Sequence, residues 1–124
     1  MAKTVNGSLV YVGTYTGTGS KGIYGVRFDP VSGVLEDAGL LAEAVNPTFL
    51  TLNARGTALY SVSETSATGA AKSGALSAFA VDPATGALSF LNRQLSNGTS
   101  PCHLSLGLDG KALFTANYSN GTVA

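Results

Sequence analysis

The sequence holds one histidine, His103, and one cysteine, Cys102, side by side. Imidazole is the side chain whose ordinary titration falls nearest neutrality, so His103 is the first candidate for a general base or for a donor to developing charge. Glu64, Asn117 and Tyr118 join it because each ends a stretch that reads as a strand, next to a variable loop. One His and one Cys cannot make a zinc site, and no carboxylate cluster suggests calcium, so no metal or other cofactor is expected. Gly17-Thr18-Gly19-Ser20-Lys21-Gly22 has the spacing of a dinucleotide-binding loop. Its C-terminal neighbours, Ile23-Tyr24-Gly25-Val26-Arg27-Phe28 and then a proline at 30, offer no helix N-terminus for a pyrophosphate. Nor is it a P-loop, because Ser20 precedes Lys21 and Gly22 comes after it. It reads as a hairpin loop.

The same four residues have structural readings. His103 opening a strand suits a hydrogen-bonded scaffold residue, Glu64 can bond loop amides, and Asn117-Tyr118 precedes a turn, where Asn favours local backbone bonding. Cys102 has no lysine or arginine beside it in sequence and reads as an inert thiol.

The elements that position these residues come from a repeat. Asp29-Pro30-Val31-Ser32-Gly33-Val34-Leu35 recurs 53 residues later as Asp82-Pro83-Ala84-Thr85-Gly86-Ala87-Leu88. Pro47, Leu50, Leu52, Gly56, Leu59 and Tyr60 recur 54 residues later as Pro101, Leu104, Leu106, Gly110, Leu113 and Phe114. Within a unit, β-branched and aromatic residues alternate with small polar ones between turn signals, which predicts four short strands. The complete copy places them at Thr48 to Leu52, Leu59 to Glu64, Gly74 to Asp82 and Leu88 to Gln94. Only Leu35 to Val45 competes as a helix, and Gly39 weakens it.

A four-stranded antiparallel unit repeating at this length is the period of a β-propeller blade. The expected fold is therefore all-β, with about 2.3 blades in 124 residues. Residues 1–46 form a blade lacking its inner strand, 47–100 a complete blade and 101–124 a truncated one, all within a single partial domain. A β-sandwich is the alternative, but a sandwich does not require one turn sequence to recur at constant spacing. Open blade edges lead to an expectation of self-association, which a single monomeric boundary in sedimentation would contradict.

Composition narrows the partners. Seven basic and seven acidic residues cancel, and no basic cluster exists to neutralise a run of phosphates, so nucleic acid is not expected. No amphipathic basic segment and no apolar run of about 18 residues points to a membrane. No apolar signal core lies behind Met1, and the single cysteine suits a reducing compartment, so the expected location is cytoplasmic.

Tyr11-Val12-Gly13-Thr14-Tyr15-Thr16 with Gly22-Ile23-Tyr24, the turn from Asp82 to Phe90, and Pro101-Cys102-His103-Leu104-Ser105 continuing through Asp109-Gly110 to the run from Ala116 to Gly121 together resemble the bacterial seven-bladed propeller lactonases, the 6-phosphogluconolactonase family. The likeness runs nearly end to end and covers the N-terminal third of such a protein. It implies a small-molecule sugar lactone as partner and hydrolysis by an activated water. On that reading His103 is the base or a donor, Asn117 and Tyr118 orient hydroxyls or the oxyanion, and Glu64 binds a sugar hydroxyl. It also places the strongest catalytic candidates of the family beyond Ala124. Arg27, Arg55, Arg93 and the four lysines fall mostly in strands or at the tight turns, so no phosphate clamp is expected. The alternatives are a muconate-type lactone-forming enzyme and a non-catalytic propeller binding module.

Overall fold

Alternation of apolar and small polar residues produces ten strands in a computed structural model that describes residues 7–124. Residues 1–6, where no signal core is expected, lie outside the described residues. Three antiparallel sheets succeed one another along the chain. The first holds β1 (Ser8–Val12), β2 (Gly22–Phe28) and β3 (Leu35–Glu43) in sequence order. The second is a four-stranded meander of β4 (Leu50–Leu52), β5 (Ala58–Ser63), β6 (Ala75–Val81) and β7 (Leu88–Leu95). The third holds β8 (Pro101–Leu106), β9 (Leu113–Asn117) and the short β10 (Thr122–Val123). The described residues contain no helix, and Leu35–Glu43 is a strand. These consecutive meanders are blades of a partial β-propeller.

The turns explain why the strands stop where they do. In both Asp-Pro turns the Gly N–H bonds the Asp carbonyl, at 2.8 Å for Gly33 to Asp29 and 2.8 Å for Gly86 to Asp82. Both glycines sit at positive φ, 73° and 75°, a conformation a side chain resists. The Asp side chains cap the same turns from within. Ser32 Oγ donates to Asp29 at 2.7 Å, and the Thr85 N–H donates to Asp82 at 2.8 Å. These bonds hold both carboxyls below their ordinary range. The Ser32 hydroxyl contributes most at Asp29, and the Thr85 N–H at Asp82.

The core lies between the first and second sheets. Ile23 of β2 packs with Leu59 and Phe79, and Tyr11, Ala42, Leu50, Val81 and Leu88 close around them. Tyr11 also donates its hydroxyl to the Gly86 carbonyl at 2.7 Å, so β1 is fastened to the turn of the neighbouring sheet. The second and third sheets meet through β4 and β5 against β8, where a methyl group on Gly74 would lie 2.2 Å from Pro101 Cδ. Phe90, Leu91 and Phe114 remain more than half exposed on the outer surfaces.

Candidate functional site

Antiparallel blades send their connections alternately to two ends. One end carries the tight turns. The other carries the loops 13–21, 64–74, 96–100 and 118–121, and there side chains from all three sheets approach one another.

At the centre of this loop end is Glu64, the residue after β5. Tyr15, from the first sheet's long loop, donates its hydroxyl to Glu64 Oε1 at 2.8 Å. Thr48 donates its hydroxyl to Glu64 Oε2 in a short contact. The hydrogen bond to the Glu64 carboxylate, with some desolvation and the nearby charge, raises the Tyr15 phenol above its ordinary value. A phenol so held stays a proton donor. Phe49 lies next to Thr48, and its ring meets the His103 ring with centroids 4.5 Å apart and planes tilted by 47°. His103 lies two residues into β8 and is exposed on it. A register shift between Pro101 and His103 bulges Cys102 out of the ladder, the kind of irregularity that re-aims neighbouring side chains. Cys102 is half-buried, its Sγ 3.7 Å from the Ala116 carbonyl.

Asn46 holds this arrangement together. Its carbonyl accepts from the Glu64 N–H at 3.0 Å, and its Nδ2 donates to the Glu64 carbonyl at 3.1 Å. Its Oδ1 accepts the Thr16 N–H at 2.8 Å. One residue thus ties the loop carrying Tyr15 to the strand end carrying Glu64. Asn46 adopts φ of 42° immediately before Pro47, a backbone region disfavoured for residues with a Cβ. The repeat preserves the device: Ser100, just before Pro101, has φ of 55°, and its carbonyl accepts the Tyr118 N–H at 2.9 Å. Glu64 and Tyr118 are therefore equivalent positions of the repeat with different side chains.

The remaining expected site residues fall elsewhere. Asn117 is 2% exposed, and its Nδ2 donates to the Ser96 carbonyl at 3.0 Å and lies 3.2 Å from Thr122 Oγ1. Its Oδ1 is buried without a partner. Burial keeps Asn117 out of contact with solvent at the loop end. Tyr118 is 80% exposed, and the bond to Ser100 is made by its backbone. Glu64 is bonded to Tyr15 and Thr48, and His103 meets Phe49; Asn117 and Tyr118 are joined to neither. The sequence alone does not single out Tyr15, Thr48 or Asn46. A signal for Asn46 exists, since Asn46-Pro47 and Ser100-Pro101 share the 54-residue offset. Tyr15 gives none, because its partner is 49 residues away in another sheet.

Among the described residues no group of three or more His, Cys, Asp or Glu is placed to hold a metal ion. No helix of the described residues is long and apolar enough to cross a membrane. Arg93 departs from expectation: although on β7, it lines a crevice of 150 Å³ at the loop end with Ser63, Thr65 and Gly69.

The family model "Lactonase, 7-bladed beta-propeller" matches residues 9–124. A 6-phosphogluconolactonase of Bacillus subtilis is 41% identical over 113 residues, covering 91% of this chain and 31% of its own. A 6-phosphogluconolactonase of Formosa agariphila is 33% identical over 122 residues, covering 93% of this chain and 32% of its own. The solved structure of a periplasmic gluconolactonase of Pseudomonas aeruginosa superposes with a TM-score of 0.84 at 34% identity, over 94% of this chain and 34% of that one. The chain thus spans about a third of the length of the curated relatives it matches.

Proposed function

Because the chain belongs to the seven-bladed β-propeller lactonase family, we propose that it supplies the first blades of an enzyme that hydrolyses a sugar lactone, with 6-phosphogluconolactone the favoured substrate. Residues 1–46, 47–100 and 101–124 are then three successive blades of one domain. The observation that carries the reading is the Tyr15–Glu64 hydrogen bond, which joins the first and second blades at the loop end, with the His103 ring of the third sheet set against Phe49 of the second blade.

In this reading His103 takes a proton from the attacking water, and its exposure on β8 leaves it open to substrate. Glu64 binds a sugar hydroxyl. Each carboxylate oxygen has about two acceptor positions. Tyr15 and Thr48 occupy one on each, so Glu64 keeps capacity for a further donor. Tyr118, exposed at the equivalent repeat position, is free to orient the ring from the other side, while Asn117 serves by holding the third hairpin to Ser96. Among the described residues no cation belongs to the Glu64 cluster itself, so a substrate phosphate is met by groups outside it.

The test is a chimera in which this chain replaces the matching third of the Bacillus subtilis relative. Hydrolysis of 6-phosphogluconolactone, with His103→Ala lowering kcat/KM by about a hundredfold or more, is the expected outcome. A folded but inactive chimera, or one indifferent to His103→Ala, overturns the proposal.

A further inference from the structure

A second candidate site is the loop-end crevice that Ser63 and Thr65, the chain neighbours of Glu64, line together with Val45 and Arg93. Strand pairing places Ser61, Ser77 and Arg93 in one row of the second sheet, and Ser63, Ala75 and Leu95 in the next row toward the loop end. Alternation puts both rows on the face that carries Leu59 and Phe79 toward the first sheet. A polar row of Ser61, Ser77 and Arg93 thus lies within a largely apolar interface, with Ser63 one row nearer the loops. Ser61 is 0% exposed and its Oγ has no partner. Ser63 is 5% exposed, lines the crevice, and its hydroxyl makes no hydrogen bond among the described residues. Buried hydroxyls are ordinarily satisfied, so an unspent one facing a crevice points to a ligand that supplies its partner.

The charge and the backbone agree. Arg93 makes no ion pair among the described residues; its guanidinium lies 5.9 Å from the Phe90 ring centroid, which steadies the side chain without neutralising it. The loop on the opposite wall is stiff. Thr68 and Ala71 exchange both backbone hydrogen bonds, at 2.9 and 3.1 Å, around Gly69 at φ 58°. Thr65 and Thr68 donate their hydroxyls to the carbonyls of Ala67 and Ser73. The N–H groups of Ala67 and Gly69, both lining the crevice, donate to nothing among the described residues. Lys72 adds a second cation to the same loop.

We propose that this crevice binds a phosphate-sized oxyanion, held by the Arg93 guanidinium, the Ser63 hydroxyl and the N–H groups of Ala67 and Gly69. A fork of N–H donors opposite fixed backbone donors matches the several acceptor oxygens of a tetrahedral anion. A volume of 150 Å³ is ample for such an anion. Free phosphate and the phosphate of a monoester share this chemistry.

The experiment is calorimetric titration of the 124-residue chain with inorganic phosphate at constant ionic strength, repeated with glucose 6-phosphate. Saturable phosphate binding is expected, weakened by about tenfold or more in Arg93→Met and reduced in Ser63→Ala, and unchanged in Arg55→Met, whose arginine sits at the tight-turn end. Competition by glucose 6-phosphate assigns the site to ester phosphates, and its failure assigns it to the free anion. Absence of saturable heat, or equal binding by parent, Arg93→Met and Ser63→Ala with circular dichroism showing all three folded, overturns the proposal.

Discussion

The two ends of the blades are built from the same strands by opposite means. At the tight-turn end the repeat is nearly literal: Gly33 and Gly86 bond Asp29 and Asp82 at the same distance, and Asn53 to Gly56 is matched by Gly107 to Gly110. At the loop end the backbone also repeats, since the Asn46 and Ser100 carbonyls accept the N–H groups of Glu64 and Tyr118. The side chains there do not. One copy offers a carboxylate tied to a tyrosine and a threonine, the other an exposed phenol. Repetition thus fixes the scaffold at both ends, while the loop-end side chains diverge from one copy to the next.

The sharpest way to test this division is within the tight-turn end, by comparing its two glycines. Gly86→Ala is expected to destabilise by about 3 kcal/mol or more, combining left-handed strain with overpacking. Its new methyl would lie 2.3 Å from Leu9 Cδ2 and would disturb the Tyr11 hydroxyl bond. Gly33→Ala meets nothing within 4 Å. It carries only the strain, about 1 kcal/mol. Denaturant unfolding of the two variants checks the order, and equal losses would show that the turns are not packed differently.

A smaller effect is expected at the Asp82 cap. Its carboxyl is held below its unfolded value, so it contributes stability above the ordinary carboxylate range and loses it as pH falls through the lowered value. Asp82→Asn, which keeps the acceptor oxygen and removes the charge, is expected to be less stable than the parent at neutral pH, with the gap closing in acid. Thermal melts across that pH range measure it, and a gap independent of pH would contradict the assignment.

Legibility in the sequence divides along the same line. The strands, the paired turns and the three successive sheets are readable because each is local or recurs at a fixed offset. Strand direction alone assigns Glu64 and His103 to the loop end. It does not reveal Tyr15, because the partnership with Glu64 exists only after two sheets are packed. Asn117 stands at the strand end where the sequence puts it, but in different surroundings. It alternates in step with buried Thr115, so it faces inward and is spent on the Ser96 carbonyl. Arg93 reads from sequence as a strand residue remote from any site, yet strand residues near a loop end reach its crevices.

The most direct measurement sets one substitution from each end against the other in the chimeric propeller, reading kcat/KM for the lactone per folded molecule. Glu64→Gln is predicted to lower it by about a hundredfold while the melt is unchanged, and Asp82→Asn to leave it within about twofold while the melt shifts. If Glu64→Gln leaves kcat/KM at the parent value, the loop-end cluster is not where the lactone is bound.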